Sequence, residues 1–124
     1  MRVAIDLADI RNGRILLVRK RKTWILPGGK PETGESDMDC LKREVEEETA
    51  GIICKNPKYY KSISGITPHK RDKLKVKIYL GNIKGKIKPR AEINKIKWIK
   101  NPEKYNLSHI TKKIIESLRQ EGYL

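Results

Sequence analysis

Three glutamates, Glu44, Glu47 and Glu48, are spaced so that they act together. Ser36 followed three residues later by Asp39 resembles a capping box, and Met38, Leu41 and Val45 recur at helical intervals, so the spacing predicts a helix over Ser36–Thr49. At about 100° per residue the three carboxylates share one sector beside the apolar stripe, whereas Glu46 points away to solvent. Like charges at these intervals cost an isolated helix about 0.2–0.5 kcal/mol per pair. A hard divalent cation would offset that cost, because Mg²⁺ takes oxygen ligands and is commonly shared between a few carboxylates and substrate phosphates. A solvated glutamate face on a surface helix is the other reading of the same triad.

The surrounding charge is uneven. Glu32 to Glu48 holds eight of the fifteen acids and carries −6, while the rest of the chain carries +20. Just upstream, Gly28-Gly29 lets the backbone pass close to a ligand without interference from a Cβ. The basic run Arg19-Lys20-Arg21-Lys22 precedes the glycines. It is either a solvated loop or a source of phosphate contacts, with Arg19 and Arg21 as the candidates. The glycines are not a P-loop, since no Gly-Lys-Ser/Thr closes the segment.

Gly29, five residues, Glu35, seven residues, Arg43-Glu44, aliphatic Val45, Glu46 and then Glu47-Glu48 closely resembles the signature box of the Nudix hydrolases, here about residues 29–51. The lead-in Trp24-Ile25-Leu26-Pro27 adds to the resemblance. The box normally closes with any residue, glycine and an aliphatic. Here Thr49 precedes Ala50 and Gly51-Ile52, so either Ala50 takes the place of the glycine or one residue is inserted before Gly51. The resemblance implies an α/β Nudix fold, with a mixed β-sheet sandwiched between helices. It also implies hydrolysis of a nucleoside diphosphate linked to a group X, in which Mg²⁺, or Mn²⁺, is held by Glu44, Glu47 and Glu48 with the Gly29 carbonyl as a further ligand. Glu44 or Glu92 would take the proton from water, and Arg43 would orient the box glutamates, with Glu35 as the intermediary. Glu92 enters because it stands six residues before Trp98, as a late loop glutamate does in the family; a surface salt-bridge partner is the other reading.

The elements that must position these residues follow in order. Arg2–Ile10 alternates Val3, Ile5 and Leu7 with Arg2, Ala4 and Asp6, as a strand with one buried face does. Asn12-Gly13 supplies a type I′ turn, and Ile15–Val18 returns as a more fully buried strand. After the helix, Ile52–Lys55 and Lys58–Ile66 read as short strands separated by Asn56-Pro57, with Tyr59, Tyr60 and Ile63 packing. Thr67–Lys73 reads as a polar loop. Leu74, Val76, Ile78 and Leu80 alternate with basic residues in a further strand. Lys84–Arg90 is a loop, and Ala91–Ile99 leads into the strand of Trp98. Ser108 caps a last helix with the stripe Ile110, Ile114, Ile115 and Leu118 and with Gly122 at its end, after an entry anchored by Tyr105 and Leu107.

A chain of 124 residues fits one domain, 1–124. No apolar run reaches the length of a membrane span, and the amino terminus enters an alternating pattern at once, so we expect neither a membrane helix nor a signal peptide, and a cytoplasmic location. Cys40 and Cys54 read as reduced packing residues, and His69 and His109 receive no role. The net charge of +14 gives affinity for polyanions, but lysines spread over nearly every segment are more often a solvated surface than a nucleic-acid platform. The partner expected is a small nucleotide, such as a nucleoside triphosphate, 8-oxo-dGTP or ADP-ribose, with Trp24, Tyr60 or Tyr79 either stacking on its base or packing in the core. Two further readings stay open: a 5′-pyrophosphohydrolase of RNA, and a non-catalytic nucleotide- or nucleic-acid-binding module. The family also implies that two copies can pair as a homodimer.

Overall fold

The computed structural model describes residues 2–66 and 72–124. Strand β1 spans Arg2–Ala8, β2 Ile10–Arg11, β3 Arg14–Lys20, β4 Thr23–Ile25 and β5 Gly28–Gly29. Helix α1 runs Asp37–Thr49; β6 (Ile52–Ile66), β7 (Lys73–Lys84) and β8 (Ile93–Ile99) follow, then a short 3₁₀ turn at Pro102–Lys104 and helix α2 at His109–Gln120. One sheet has the order β5-β1-β7-β6, with β1 and β7 parallel and the other pairs antiparallel. The second has the order β2-β3-β4, and β8 also pairs with β3.

Alternation assigns the two helices to opposite faces. Ile5, Leu7 and Leu16 join Cys40, Leu41 and Val45 of α1 in one core. Ala8, Ile15 and Leu17 join Ile114, Ile115 and Leu118 of α2 in the other, together with Val76 and Ile78. Ile15 to Val18 is buried on both faces, as its unbroken apolar run predicts. The α/β arrangement of a mixed sheet between helices is therefore observed.

The first strand ends earlier than its alternation suggests. At Asp9 the chain leaves the first sheet and enters the second. The Asp9 carboxylate is 0% exposed; it accepts two bonds from Arg11 at 3.0 and 2.9 Å, one from Asn82 Nδ2 at 2.9 Å and one from the Ile83 N–H at 2.8 Å. A buried carboxylate is tolerated where every acceptor site is filled in this way. The Arg11 guanidinium in turn lies 4.9 Å from the Trp98 ring centroid. Asn12 and Gly13 then both take positive φ, 51° and 74°, as the predicted hairpin turn requires.

Two short strands were expected around Asn56-Pro57, but the structure has one edge strand, β6, with a kink. Pairing jumps from Cys54 opposite Asn82 to Lys58 opposite Leu80, and Lys55 sits at φ 54°. A bulge absorbs Pro57, which has no N–H to give a ladder, without ending the strand. Strand β7 likewise extends to Lys84, past the predicted Leu80. Of the predicted polar loop, residues 67–71, and with them His69, lie outside the described residues.

Both helix starts are capped as predicted. The Ser36 hydroxyl accepts from the Asp39 N–H at 3.1 Å, and the Ser108 hydroxyl accepts from the Thr111 N–H at 3.2 Å. Leu107 is buried, and the Trp24 ring meets that of Tyr105 edge-on at 5.5 Å. Gly122, at φ 81°, reverses the chain after α2.

Candidate active site

Strand β5 lies antiparallel to β1, with Ile5 opposite Gly29 and Asp6 opposite Gly28. A Cβ on Gly29 would stand 2.4 Å from Glu44 Cδ, and one on Gly28 would stand 2.4 Å from Asp6 Oδ1. The Glu44 carboxylate thus fills the space at Gly29, while at Gly28, with φ 150°, a Cβ would first meet the Ile5 carbonyl at 2.2 Å, so neither position admits a side chain. The Gly28 N–H donates to Glu48 Oε1 at 2.9 Å, so Glu44 and Glu48 both reach the glycine pair from α1. The Cys40 thiol points at the Gly29 carbonyl at 3.5 Å; burial pushes it up to about 12, so it stays a protonated packing group. Cys54 is also a free thiol.

Arg43 organises the rim. Its Nε and Nη2 grip Glu35 at 2.8 and 2.9 Å, Nη1 donates to Glu44 at 2.8 Å and reaches Glu47 at 3.4 Å, and Nη2 also donates to the Lys30 carbonyl at 3.1 Å. This fork is a geometry that a lysine could not supply. The hydrogen bond from Arg43, helped by the Glu32 N–H, holds the Glu35 carboxyl down at about 2. Burial acts the other way on the inner carboxylates: it pushes Glu48 up to about 7 against the Gly28 N–H, and raises Glu44 against Arg43. Asp6 is held well above the ordinary carboxylate range by burial first, then by the charges of Glu48 and Glu44.

The predicted site residues separate into two groups. Glu44, Glu47, Glu48, Gly29 and Arg43 come together, with Glu47 the most open at 53% side-chain exposure. Glu92 is instead 74% exposed and pairs with Lys20 at 2.8 Å, which lowers its pKa. Arg19 and Arg21 lie with it around the start of β8: Arg19 Nε donates to Asn94 Oδ1 at 2.6 Å, and Asn94 Nδ2 donates to the Arg21 carbonyl at 2.9 Å. Lys20 links the two groups, because its charge also acts on Glu48. Trp24 is buried; the Tyr60 hydroxyl is bonded to Ser117 at 2.8 Å, and that of Tyr79 donates to Asp37 at 2.9 Å. The box ending is resolved in favour of the first alternative, since Ala50 takes the left-handed position at φ 60° that closes α1.

Sequence reasoning missed Asp6. Its signal was an acid amid the apolar residues of β1, a strand that has neighbours on both sides in the sheet. The register that sets it opposite Gly28 has no local signature.

Among the described residues, no three His, Cys, Asp or Glu side chains form a preassembled metal-ligand set. The donors nevertheless fit a hard divalent cation in kind: carboxylates raised by burial beside a glycine pair with no side chains. A mixed-sheet α/β protein with such a helix presents oxygen donors of the kind a hard cation takes. The NUDIX domain model matches residues 1–118, and the chain belongs to that family.

Two curated relatives share short stretches. An uncharacterized Nudix hydrolase of Bacillus subtilis is 50% identical over 46 residues, 36% of this chain and 28% of that protein. An 8-oxo-dGDP phosphatase of Mus musculus is 50% identical over 34 residues, 27% of this chain and 10% of that protein. The crystal structure of a MutT NUDIX hydrolase from Burkholderia pseudomallei superposes with a TM-score of 0.78 at 23% identity, covering 93% of this chain and 95% of that one. No helix among the described residues is long and apolar enough to cross a membrane.

Proposed function

We propose that the chain is a pyrophosphohydrolase that depends on a divalent cation, Mg²⁺ or Mn²⁺, and cleaves a small nucleoside diphosphate linked to X. The observation that carries this reading is the approach of Glu44 and Glu48 to Gly28-Gly29, with Arg43 gripping Glu35, Glu44 and Glu47. Glu44, Glu47, Glu48 and the Gly29 carbonyl are the residues suited to hold the cation. It would supply charge neutralisation at the phosphates and acidify water.

The chain's own groups do the rest. Arg43 fixes the rotamers of Glu35 and Glu44, and the Gly28 N–H fixes that of Glu48, so the carboxylates are oriented before substrate arrives. Glu44 is the better proton acceptor for the attacking water, because it lies beside Gly29 with its pKa raised by burial, whereas Glu92 is exposed and Lys20 lowers its pKa. The substrate class is drawn from nucleoside triphosphates, their 8-oxo forms and ADP-ribose; the 8-oxo-dGDP phosphatase relative supports the oxidised guanine nucleotides.

The test is Mg²⁺-dependent product release from ordinary and 8-oxo nucleoside triphosphates, ADP-ribose, a dinucleoside polyphosphate and 5′-triphosphate RNA, beside Glu47→Gln/Glu48→Gln. Cleavage of one small nucleotide that the double variant abolishes is the expected result. Cleavage of RNA alone, falling steeply with salt, would replace it with the 5′-end reading. Nucleotide binding without turnover would make the chain a binding module.

A further inference from the structure

The loop between β7 and β8 carries a cation that the proposed chemistry leaves unused. No basic residue stands in the last turn of α1, and the carbonyls there are met by the loop: the Lys88 N–H donates to the Thr49 carbonyl at 2.9 Å and the Arg90 N–H to the Glu48 carbonyl at 3.0 Å. The Ile93 N–H closes back on the Arg90 carbonyl at 3.0 Å, across Ala91 at φ 54°. Arg90 is thereby fixed against the helix that bears the glutamates, at the level of Glu48.

Its side chain lines a cleft of about 300 Å³ with Arg43, Glu46 and Glu47. Around α1 the order of side chains is Glu46, Arg43, Glu47, Glu44, Glu48, so this cleft begins where the carboxylate cluster ends, and Glu47 borders both. The Arg43 guanidinium is spent on Glu35, Glu44, Glu47 and the Lys30 carbonyl. Arg90, beside two glutamates, makes no ion pair among the described residues. Its planar five-donor fork matches phosphate oxygens.

We propose that Arg90 forms a phosphate subsite on the outer flank of α1, taking a phosphate one place further along the chain than the pair handled at Glu44 and Glu48. This rests on the hydrolase reading of those glutamates and narrows its substrate class. A nucleoside triphosphate presents such a phosphate, and a diphosphate flanked by two sugars, as in ADP-ribose, does not.

The test is calorimetric titration, in Mg²⁺, of the full chain with inorganic tripolyphosphate and with pyrophosphate, comparing wild type, Arg90→Ala, Arg90→Lys and Glu46→Gln. Arg90→Ala is expected to weaken tripolyphosphate about tenfold and pyrophosphate less than about threefold, at an unchanged melting temperature. Arg90→Lys, which keeps the charge but loses the fork, falls between, and Glu46→Gln strengthens tripolyphosphate binding by removing a repelling carboxylate. The subsite is overturned by equal weakening of both ligands, by none, or by Glu46→Gln copying Arg90→Ala, which would make Arg90 only an ion-pair partner of the helix. Wild type that distinguishes the two ligands through Arg90 but turns over no nucleotide refutes the hydrolase reading and leaves the subsite standing. Turnover of a triphosphate with Arg90→Ala binding normally does the reverse.

Discussion

Ala50 closes α1 with φ 60° and ψ 5°, its N–H donating to the Glu46 carbonyl. A residue with a Cβ pays about 1–2 kcal/mol in this left-handed region. Glycine would relieve that strain but return about 0.5–1 kcal/mol to the unfolded chain as entropy. Ala50→Gly is therefore expected to stabilise the protein by about 0.5–1 kcal/mol, or about 2–5 °C in melting temperature for a domain of this size. The neighbouring glycine should behave in the opposite way. A Cβ on Gly51 would stand 2.3 Å from Ile83 Cγ2 and 2.9 Å from Ile87 Cγ2, and Ile83 is buried. Gly51→Ala must shift that packing and should cost about 1–3 kcal/mol. Urea denaturation of both variants, with the slope checked for two-state behaviour, measures the two effects. A destabilised Ala50→Gly, or a neutral Gly51→Ala, would refute the assignment of the left-handed turn to Ala50 and of close packing to Gly51.

Glu48, raised to about 7, binds its proton more tightly folded than unfolded, so in metal-free buffer stability is greatest below the unfolded value and declines as pH rises from about 4.5 to 7. The loss is at most about 3 kcal/mol; Glu48→Gln should flatten the slope, with Asp6 and Glu44 contributing what remains, and an unchanged slope would remove Glu48 as its source. Asp9→Ala strips four hydrogen bonds from the junction of the two sheets and should cost about 3 kcal/mol by thermal or chemical denaturation; a loss under about 1 kcal/mol would mean that Arg11 and the Ile83 amide find water instead. Arg43→Lys keeps the charge but cannot hold Glu35 and Glu44 at once, so turnover should fall about tenfold or more with little change in melting temperature. Full activity in that variant would make the fork dispensable.

The box was readable because its information is local. Helical spacing set Glu44, Glu47 and Glu48 on one sector, Ser36 fixed the start of α1, and the alternation of β1 and β7 and the unbroken apolar run of β3 are likewise properties of consecutive residues. Features that depend on register between distant strands were not readable. Asp6 looks like the polar half of an alternation until β5 lies against it, and Asp9 looks like a strand residue until Asn82 and Ile83 reach it across more than seventy positions. The bulge in β6 was misread for a related reason: a proline argues locally for a break, and only the continued pairing of Lys58 and beyond with β7 overrides it. Arg90 carried no signal, since a basic loop gives no clue that one of its members is tied to the end of α1.

That bulge has a colloidal consequence. A fifteen-residue strand at the rim of a sheet is a long template for a second chain to add to, and β6 shows Ile52, Tyr59 and Ile66 to solvent along it. The left-handed Lys55 and the amide-free Pro57 interrupt the row of free donors and acceptors, and Lys55 and Lys58 put positive charge along the same stretch. An incoming copy would meet a bent strand and its own charge repeated, so the defect in the ladder works against edge-to-edge growth into fibrils.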